Sequence, residues 1–358
     1  MSWQAAGSSL SRPISAKGLA IGGLLLEPAA SSGVTREMTQ RSERVLVTGA
    51  GGFIGHHLVS NLKQRGYWVR GVDRKYPEFT PVDADEFQIA DLRRWDDCLL
   101  ATSGIDHVYA LAADMGGMGF ISSNHATILR NNALINLHTL EAARLQGASR
   151  YFYSSSACIY PDYRQTEEDI TPLKEEDAYP ADPQDAYGWE KLLSERLMGY
   201  YGDEFGMRTR VARFHNIYGP YGTYDGGREK APAALCRKVA LAQPGESIEI
   251  WGDGAQTRSF CYIDDCVEGI YRLMWSDYTE PLNIGSNELV TIDQLAERVI
   301  DVSGKPDLWL RHVKGPQGVR GRNSDNTRIR QVLGWEPQTS LHEGVDSTYR
   351  WIHKQVAG

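Results

Sequence analysis

The chain has 358 residues, 41% hydrophobic and 23% charged, a globular composition long enough for one large domain or a large domain with a smaller annex, so disordered and fibrous classes are excluded. A formal charge of -8 argues against a polyanion-binding surface, because neutralising many phosphates takes an excess of Lys and Arg, and nucleic acid is not expected as a partner. Five cysteines, Cys98, Cys158, Cys236, Cys261 and Cys266, form no paired framework and no CxxC, which points to a reducing cytoplasm and to no metal site.

Residues 1–40 read as a flexible extension rich in Ala, Gly and Ser, with Met38 a candidate start of the compact protein. The apolar run 18–26 stands behind Arg12 and Lys17 as in a secretory signal. Glu27 and Pro28 follow at once, and the run falls short of the roughly 20 apolar residues that cross a bilayer. No membrane partner is expected.

From Arg44 the stretch RVLVTGAGGFIGHHLVSNLKQRG reads as strand, glycine turn and helix. Short apolar runs at 68–72, 85–89, 107–111, 150–154, 209–214 and 281–284 alternate with helical stretches such as 131–146 and 186–201. Strands alternating with helices predict an α/β fold with a Rossmann-type, doubly wound parallel sheet over 41–218, to which the chain returns at about 259–285 through a helix at 264–275. After Tyr218 the texture turns loop-rich, followed by a helix through Lys238 and a turn at 243–245. Residues 219–258 and 286–358 are therefore expected to form a smaller C-terminal substrate-binding region.

Gly49, Gly52 and Gly55 fall between a predicted strand and helix, where missing side chains let a pyrophosphate reach the helix N-terminal amides beside Phe53 and Ile54. Asp73 closes the second strand 18 residues beyond Gly55, where its carboxylate can accept from a ribose diol and would repel a 2′-phosphate. NAD is expected over NADP, although Arg74 and Lys75 follow directly. Asp91 and Leu92, after the third strand, are placed to meet the adenine.

Tyr187 and Lys191 stand four residues apart, on one helix face. Taking a hydride from an alcohol carbon requires a base for the hydroxyl proton, and a free phenol, with pKa about 10, is mostly protonated at neutral pH. A nearby Lys and a cationic nicotinamide ring would stabilise the phenolate. Upstream, the strand ending in Ser154-Ser155-Ser156 offers Ser155 and Ser156 as hydroxyls for the same substrate oxygen.

With these parts together the sequence resembles the extended short-chain dehydrogenase/reductase family, from about Arg44 to the C-terminus. Its members mostly act on nucleotide sugars. Where sugar 4,6-dehydratases of that family carry an Asp-Glu pair, this chain has Ala157-Cys158, which disfavours simple dehydration. A thiol is suited to remove a proton from carbon next to a ketone. The alternative for Cys158, a small buried hydrophobe, is the reading kept for the other four cysteines. Inverting a stereocentre through an enolate also needs a proton donor, and Lys230 in the loop GGREK is the candidate.

The stretches LAADMGGMGF, SSACIYP, PQDAYGWEK, RFHNIYGPYGT, GGREKAPAA, WGDGAQTRSF and GVRGRNSDN are similar to those of family members that epimerise GDP-mannose. The resemblance implies catalytic roles for Tyr187, Cys158 and Lys230. It implies a GDP-sugar site lined by Gly116, Ser156, Ala157, Asn216, Glu229, Ala231, Lys238, Gln256, Arg258 and Arg322, with Arg322 a fork for the diphosphate. It also implies a homodimer. A rival within the family is an NADPH-dependent epimerase-reductase of a keto-deoxy sugar, for which His215 would be the donor to watch. A rival of another class is a non-catalytic NAD-binding regulator.

Overall fold

The computed structural model describes residues 42–356. The readings made on the extension, the run 18–26 and Met38 lie outside the described residues. In the first half strands and helices alternate: β1 (Arg44–Thr48), α1 (Phe53–Gln64), β2 (Trp68–Asp73), β3 (Glu86–Ile89), α2 (Trp95–Thr102), β4 (His107–Ala110), the single turn α3 (Met118–Ile121), α4 (His125–Leu145), β5 (Arg150–Ser156), α5 (Ala186–Phe205) and β6 (Arg208–Phe214). Shorter elements follow: β7 (Ile217–Tyr218), α6 (Ala231–Leu241), β8 (Ser247–Trp251), β9 (Thr257–Ser259), β10 (Cys261–Tyr262), α7 (Ile263–Trp275), β11 (Leu282–Ile284) and β12 (Leu289–Thr291). Then come α8 (Ile292–Ser303), β13 (Trp309–Val313), β14 (Gly321–Arg322), α9 (Thr327–Leu333) and α10 (Leu341–Val356).

Seven strands form one sheet in the order β11-β6-β5-β4-β1-β2-β3, every neighbouring pair parallel. Helices cover both faces, so strands such as RVLVT and HVYA are apolar almost throughout instead of alternating. Val45, Val47 and Tyr109 pack under Leu58 of α1 and Ile270 of α7. Leu46, Val108 and Tyr151 face the other way, against Cys98 of α2, Leu140 of α4 and Met198 of α5. The chain direction across the sheet reverses between β1 and β4, which opens a crevice at the carboxyl ends of the strands.

A further core joins Leu235 and Val239 of α6, Ile248 and Ile250 of β8, Leu295 and Val299 of α8, and Val345 and Ile352 of α10. Around it sit the two-stranded pair β8 with β13 and a three-stranded sheet in the order β12-β9-β14, neither of which the sequence patterns anticipate. The strands of the three-stranded sheet, two or three residues long, carry no readable period.

The predicted strands are found within a residue or two. Helix α4 begins at His125, six residues before the expected start, and buries Asn131, Asn132 and Asn136. Helix α5 runs on to Phe205 and stops at Gly206, whose φ of 68° is the left-handed cap that glycine takes readily.

Candidate active site

A cavity of about 920 Å³ opens at the crevice, in the upper part of the range of roughly 300–1,000 Å³ usual for small-molecule sites. All the candidate site residues singled out from the sequence, from Gly49 to Arg322, line it. The rival donor His215 is not among the lining residues: it is fully buried, and its Nε2 lies 3.0 Å from Oδ1 of Asn283. Burial lowers its pKa to about 3.

The dinucleotide cradle has no room for side chains. A Cβ on Gly55 would lie 2.0 Å from the Gly49 carbonyl oxygen, and one on Gly51 would lie 2.1 Å from that of Lys75. Gly51, which the triplet spacing does not single out, supports the cradle from behind the cavity wall. Its N–H donates to Asp73 Oδ2 at 3.0 Å, while the Arg74 N–H donates to Asp73 Oδ1 at 2.6 Å. Asp73 is thereby held at the end of β2 beside the first-turn amides of α1, which have no helical acceptor. Lys75 pairs with Glu78 at 3.4 Å. A cradle that only glycine permits, with an aligned carboxylate at its rim, fits a dinucleotide. Asp91 is held by the Arg93 guanidinium, with Nε 2.8 Å from its Oδ1.

Tyr187 and Lys191 are both buried on the first turns of α5. The Asp185 side chain caps that helix by accepting from the Gly188 N–H at 2.8 Å. Lys191 Nζ donates to the Ser154 carbonyl at 2.7 Å and lies 5.6 Å from the centre of the Tyr187 ring. Burial raises the phenol well above its ordinary value, with the Cys158 sulfur adding to the effect, and burial lowers the ammonium. Burial by itself therefore disfavours the phenolate, and the expected stabilisation rests on Lys191 and the nicotinamide cation together. Desolvation outweighs attraction at this separation, and a cation at the nicotinamide position is the component still to be added.

The hydroxyls of the serine run diverge. Ser155 Oγ donates to Glu195 Oε1 at 2.5 Å, and that carboxylate is also gripped by Arg213. The Ser155 hydroxyl hydrogen is therefore committed to the buried Glu195–Arg213 pair, which leaves its oxygen to accept on the cavity wall. The Ser156 hydroxyl acts on Tyr187 in the sense that lowers its pKa, and its Oγ accepts from the Cys158 N–H at 3.2 Å.

Cys158 sits in the turn after β5, half-buried, with Arg322 Nη1 3.5 Å from its sulfur. Gln165 Oε1 accepts from Arg322 Nε at 2.6 Å and orients the guanidinium; sequence spacing held no signal for this residue. Arg258 shares the cavity wall, and burial followed by repulsion from Arg322 lowers its pKa to about 9. Lys230 ends the loop before α6 and is exposed to the interior of the cavity, yet the protein around it lowers its pKa by desolvation. Lys238 Nζ donates to the Glu249 carbonyl at 2.7 Å. Buried oxygens of Glu229 and Gln256 have no protein partner and can accept from a ligand.

The site therefore joins a dinucleotide cradle, a phenol that can take an alcohol proton, a thiol beside a guanidinium, and an isolated ammonium. Among the described residues no group of His, Cys, Asp and Glu side chains could hold a metal ion.

Residues 45–285 match the model of the NAD dependent epimerase/dehydratase family. The chain is 53% identical over 315 residues to GDP-mannose 3,5-epimerase of Arabidopsis thaliana, covering 87% of this chain and 83% of the relative. It is equally 53% identical to GDP-mannose 3,5-epimerase 1 of rice (Oryza sativa subsp. japonica), covering 87% and 82%. Among solved structures, a UDP-glucose 4-epimerase of Thermotoga maritima with UDP-glucose superposes with a TM-score of 0.78 at 26% identity, covering 87% of this chain and 99% of the other.

Proposed function

The chain belongs to the NAD dependent epimerase/dehydratase family, and from that premise we propose that it converts GDP-mannose to GDP-L-galactose, with GDP-L-gulose as a second product, by inverting C5 and C3 of the hexose. The observation that carries this reading is that Cys158 and Lys230, which simple oxidation or dehydration would not need, line the same cavity as Tyr187.

Gly49, Gly52, Gly55 and Asp73 would hold NAD, with Asp91 and Leu92 toward its adenine. When bound, NAD supplies the reversible oxidation at C4 with which the reaction begins and ends. Tyr187 holds the 4-hydroxyl and, as the phenolate, takes its proton and becomes the neutral phenol; the buried ammonium of Lys191 favours the phenolate before that transfer. A ketone at C4 acidifies the C–H bonds at C5 and C3. Cys158 removes a proton from such a carbon, and Arg322 lies beside the sulfur as a countercharge. Lys230, supplied by another element, delivers a proton back. Arg258, Arg322 and Lys238 offer cations for the diphosphate, while Glu229 and Gln256 offer acceptors.

We assign the sugar nucleotide to the core built on α6, β8, α8 and α10, and the dinucleotide to the seven-stranded sheet. A homodimer is supported by Leu129, Leu137 and Leu145 of α4 with Trp189, Leu193 and Tyr200 of α5, all exposed on two helices joined through Asn136, Glu190 and Ser194. A cytoplasmic setting is supported by five free thiols, four of them buried. Among the described residues no helix is long and apolar enough to cross a membrane.

The test is to incubate the purified protein with GDP-mannose in D₂O and follow the sugar by proton NMR. Deuterium at C3 and C5 with the L-galacto product supports the reading. No exchange, with or without added NAD⁺, overturns it and makes a GDP-linked keto-deoxy sugar with NADPH the next substrate to try.

A further inference from the structure

The loop that carries Lys230 meets the opposite wall of the cavity at three points. The Glu229 carbonyl oxygen stands so close to Gly117 that a Cβ there would be 2.8 Å away. The Arg228 guanidinium carbon lies 3.9 Å from the centre of the Phe120 ring. Arg228 Nη1 is 3.8 Å from Asp114 Oδ1. The receiving side is held in advance: Asn131 Nδ2 donates to Asp114 Oδ2 at 2.9 Å, and the Asp114 N–H donates to Asn132 Oδ1 at 2.6 Å.

The other side is built to move. Gly226 and Gly227 precede Arg228 with φ values of 87° and 79°, and open space surrounds both. Their backbone freedom allows the segment to swing. Beyond Arg228, Arg237 of α6 donates to the Tyr224 carbonyl at 2.9 Å and reaches Glu229 Oε1 at 3.5 Å, so the stem of the loop stays tied to its helix. The Arg228 side chain is 51% exposed and that of Asp114 18%. An ion pair and a ring contact at such exposure are individually weak, so they can break and re-form on the timescale of ligand exchange.

We propose that Arg228 is a latch: by closing on Phe120 and Asp114 it joins the two walls of the cavity over the bound sugar and sets the position of Lys230. Arg228 is a positioning residue, acting through the ammonium two places along the chain. Closure excludes water and places the donor; opening releases the nucleotide sugar. The catalytic part of this role rests on the proposed epimerisation, whereas the closure itself does not.

The experiment compares the full chain with Arg228→Ala and Arg228→Lys in two measurements. The first is amide hydrogen exchange of the ligand-free protein. In Arg228→Ala, exchange at 114–120 and at 225–230 is expected to rise together, by about tenfold, with melting temperature unchanged, and Arg228→Lys is expected to restore part of the protection. The second is deuterium incorporation at C5 of GDP-mannose, expected to fall in kcat by about tenfold in Arg228→Ala and to recover in part in Arg228→Lys. Unchanged amide exchange in either segment overturns the latch. So does faster amide exchange with unaltered C5 exchange, which leaves only a surface contact. Wild-type protein that exchanges nothing at C5 overturns the epimerase reading instead, and the amide measurement still decides whether the latch exists.

Discussion

The carbonyl of Cys158 rests against Gly188, and a Cβ on that glycine would lie 2.2 Å from the oxygen and 3.0 Å from the carbonyl carbon. Gly188 follows Tyr187 on the first turn of α5, so this contact brings the element carrying the thiol onto the element carrying the phenol. Gly188→Ala is therefore expected to push the two apart. Loss of C5 exchange on the order of 100-fold should follow from a displacement of about an ångström, with overpacking costing roughly 1–3 kcal/mol. GDP binding, which the proposed function assigns to Arg322 and Lys238, should persist by calorimetry. Wild-type exchange rates in this variant would show that the contact does not position the pair.

Cys158→Ser keeps the shape of the turn but replaces the thiol with a far weaker acid, and Lys230→Ala removes the ammonium. Each should lower deuterium incorporation at C3 and C5 by about 10²–10⁴-fold, the usual worth of a positioned acid or base. GDP-mannose should still bind to both. Exchange at the wild-type rate in Lys230→Ala would remove that residue from the mechanism.

The rate should depend on pH through Lys230. It must be protonated to donate, and desolvation lowers its pKa from the ordinary 10.5. Exchange at C5 should therefore fall on the alkaline side with an apparent midpoint below 10.5. Tyr187 works in the opposite sense: its needed form is the anion and burial raises its pKa, so it contributes a rise in rate with pH. A pH profile of the exchange rate measures both limbs. An alkaline side that stays level through 10.5 would contradict the assignment of Lys230 as donor.

Stability should fall toward acid because of His215. It is fully buried, and its pKa is lowered from 6.5 to about 3, chiefly by burial. Between these values the unfolded chain binds a proton that the folded protein does not, so the native state loses up to about 1.4 kcal/mol per pH unit as pH drops below 6.5. Urea midpoints of the wild type and of His215→Gln at pH 7 and 5 measure this. The variant should lose about 2 kcal/mol less between the two conditions, and an identical loss in both proteins would assign the acid sensitivity to other groups.

What the sequence determined by itself is what local chemistry dictates. The apolar strands at 44–48 and 150–154 are legible because a parallel sheet buried on both faces demands continuous hydrophobic runs. The glycine triplet and Asp73 are legible because a close approach of backbone to pyrophosphate leaves no alternative residue types. Tyr187 and Lys191 are legible because helical spacing puts them on one face. Lys230 is reached from the need of an enolate for a proton donor, and Arg322, far along the chain, only by resemblance to known epimerases.

The tertiary structure decided how each side chain is spent. Ser155 and Ser156 are adjacent in sequence, yet one serves the buried Glu195–Arg213 pair and the other meets Tyr187, because neighbouring strand residues face opposite sides. Gly51 and Gly188 gain their importance from the carbonyls of Lys75 and Cys158, and Arg322 is aimed by Gln165, 157 residues away. Burial raises the pKa of Tyr187 and lowers that of Lys191, an effect that spacing along the helix does not show. Spacing along a chain sets which groups can share a face. Desolvation and distant hydrogen-bond partners, which exist only once the chain has folded, set what those groups can do.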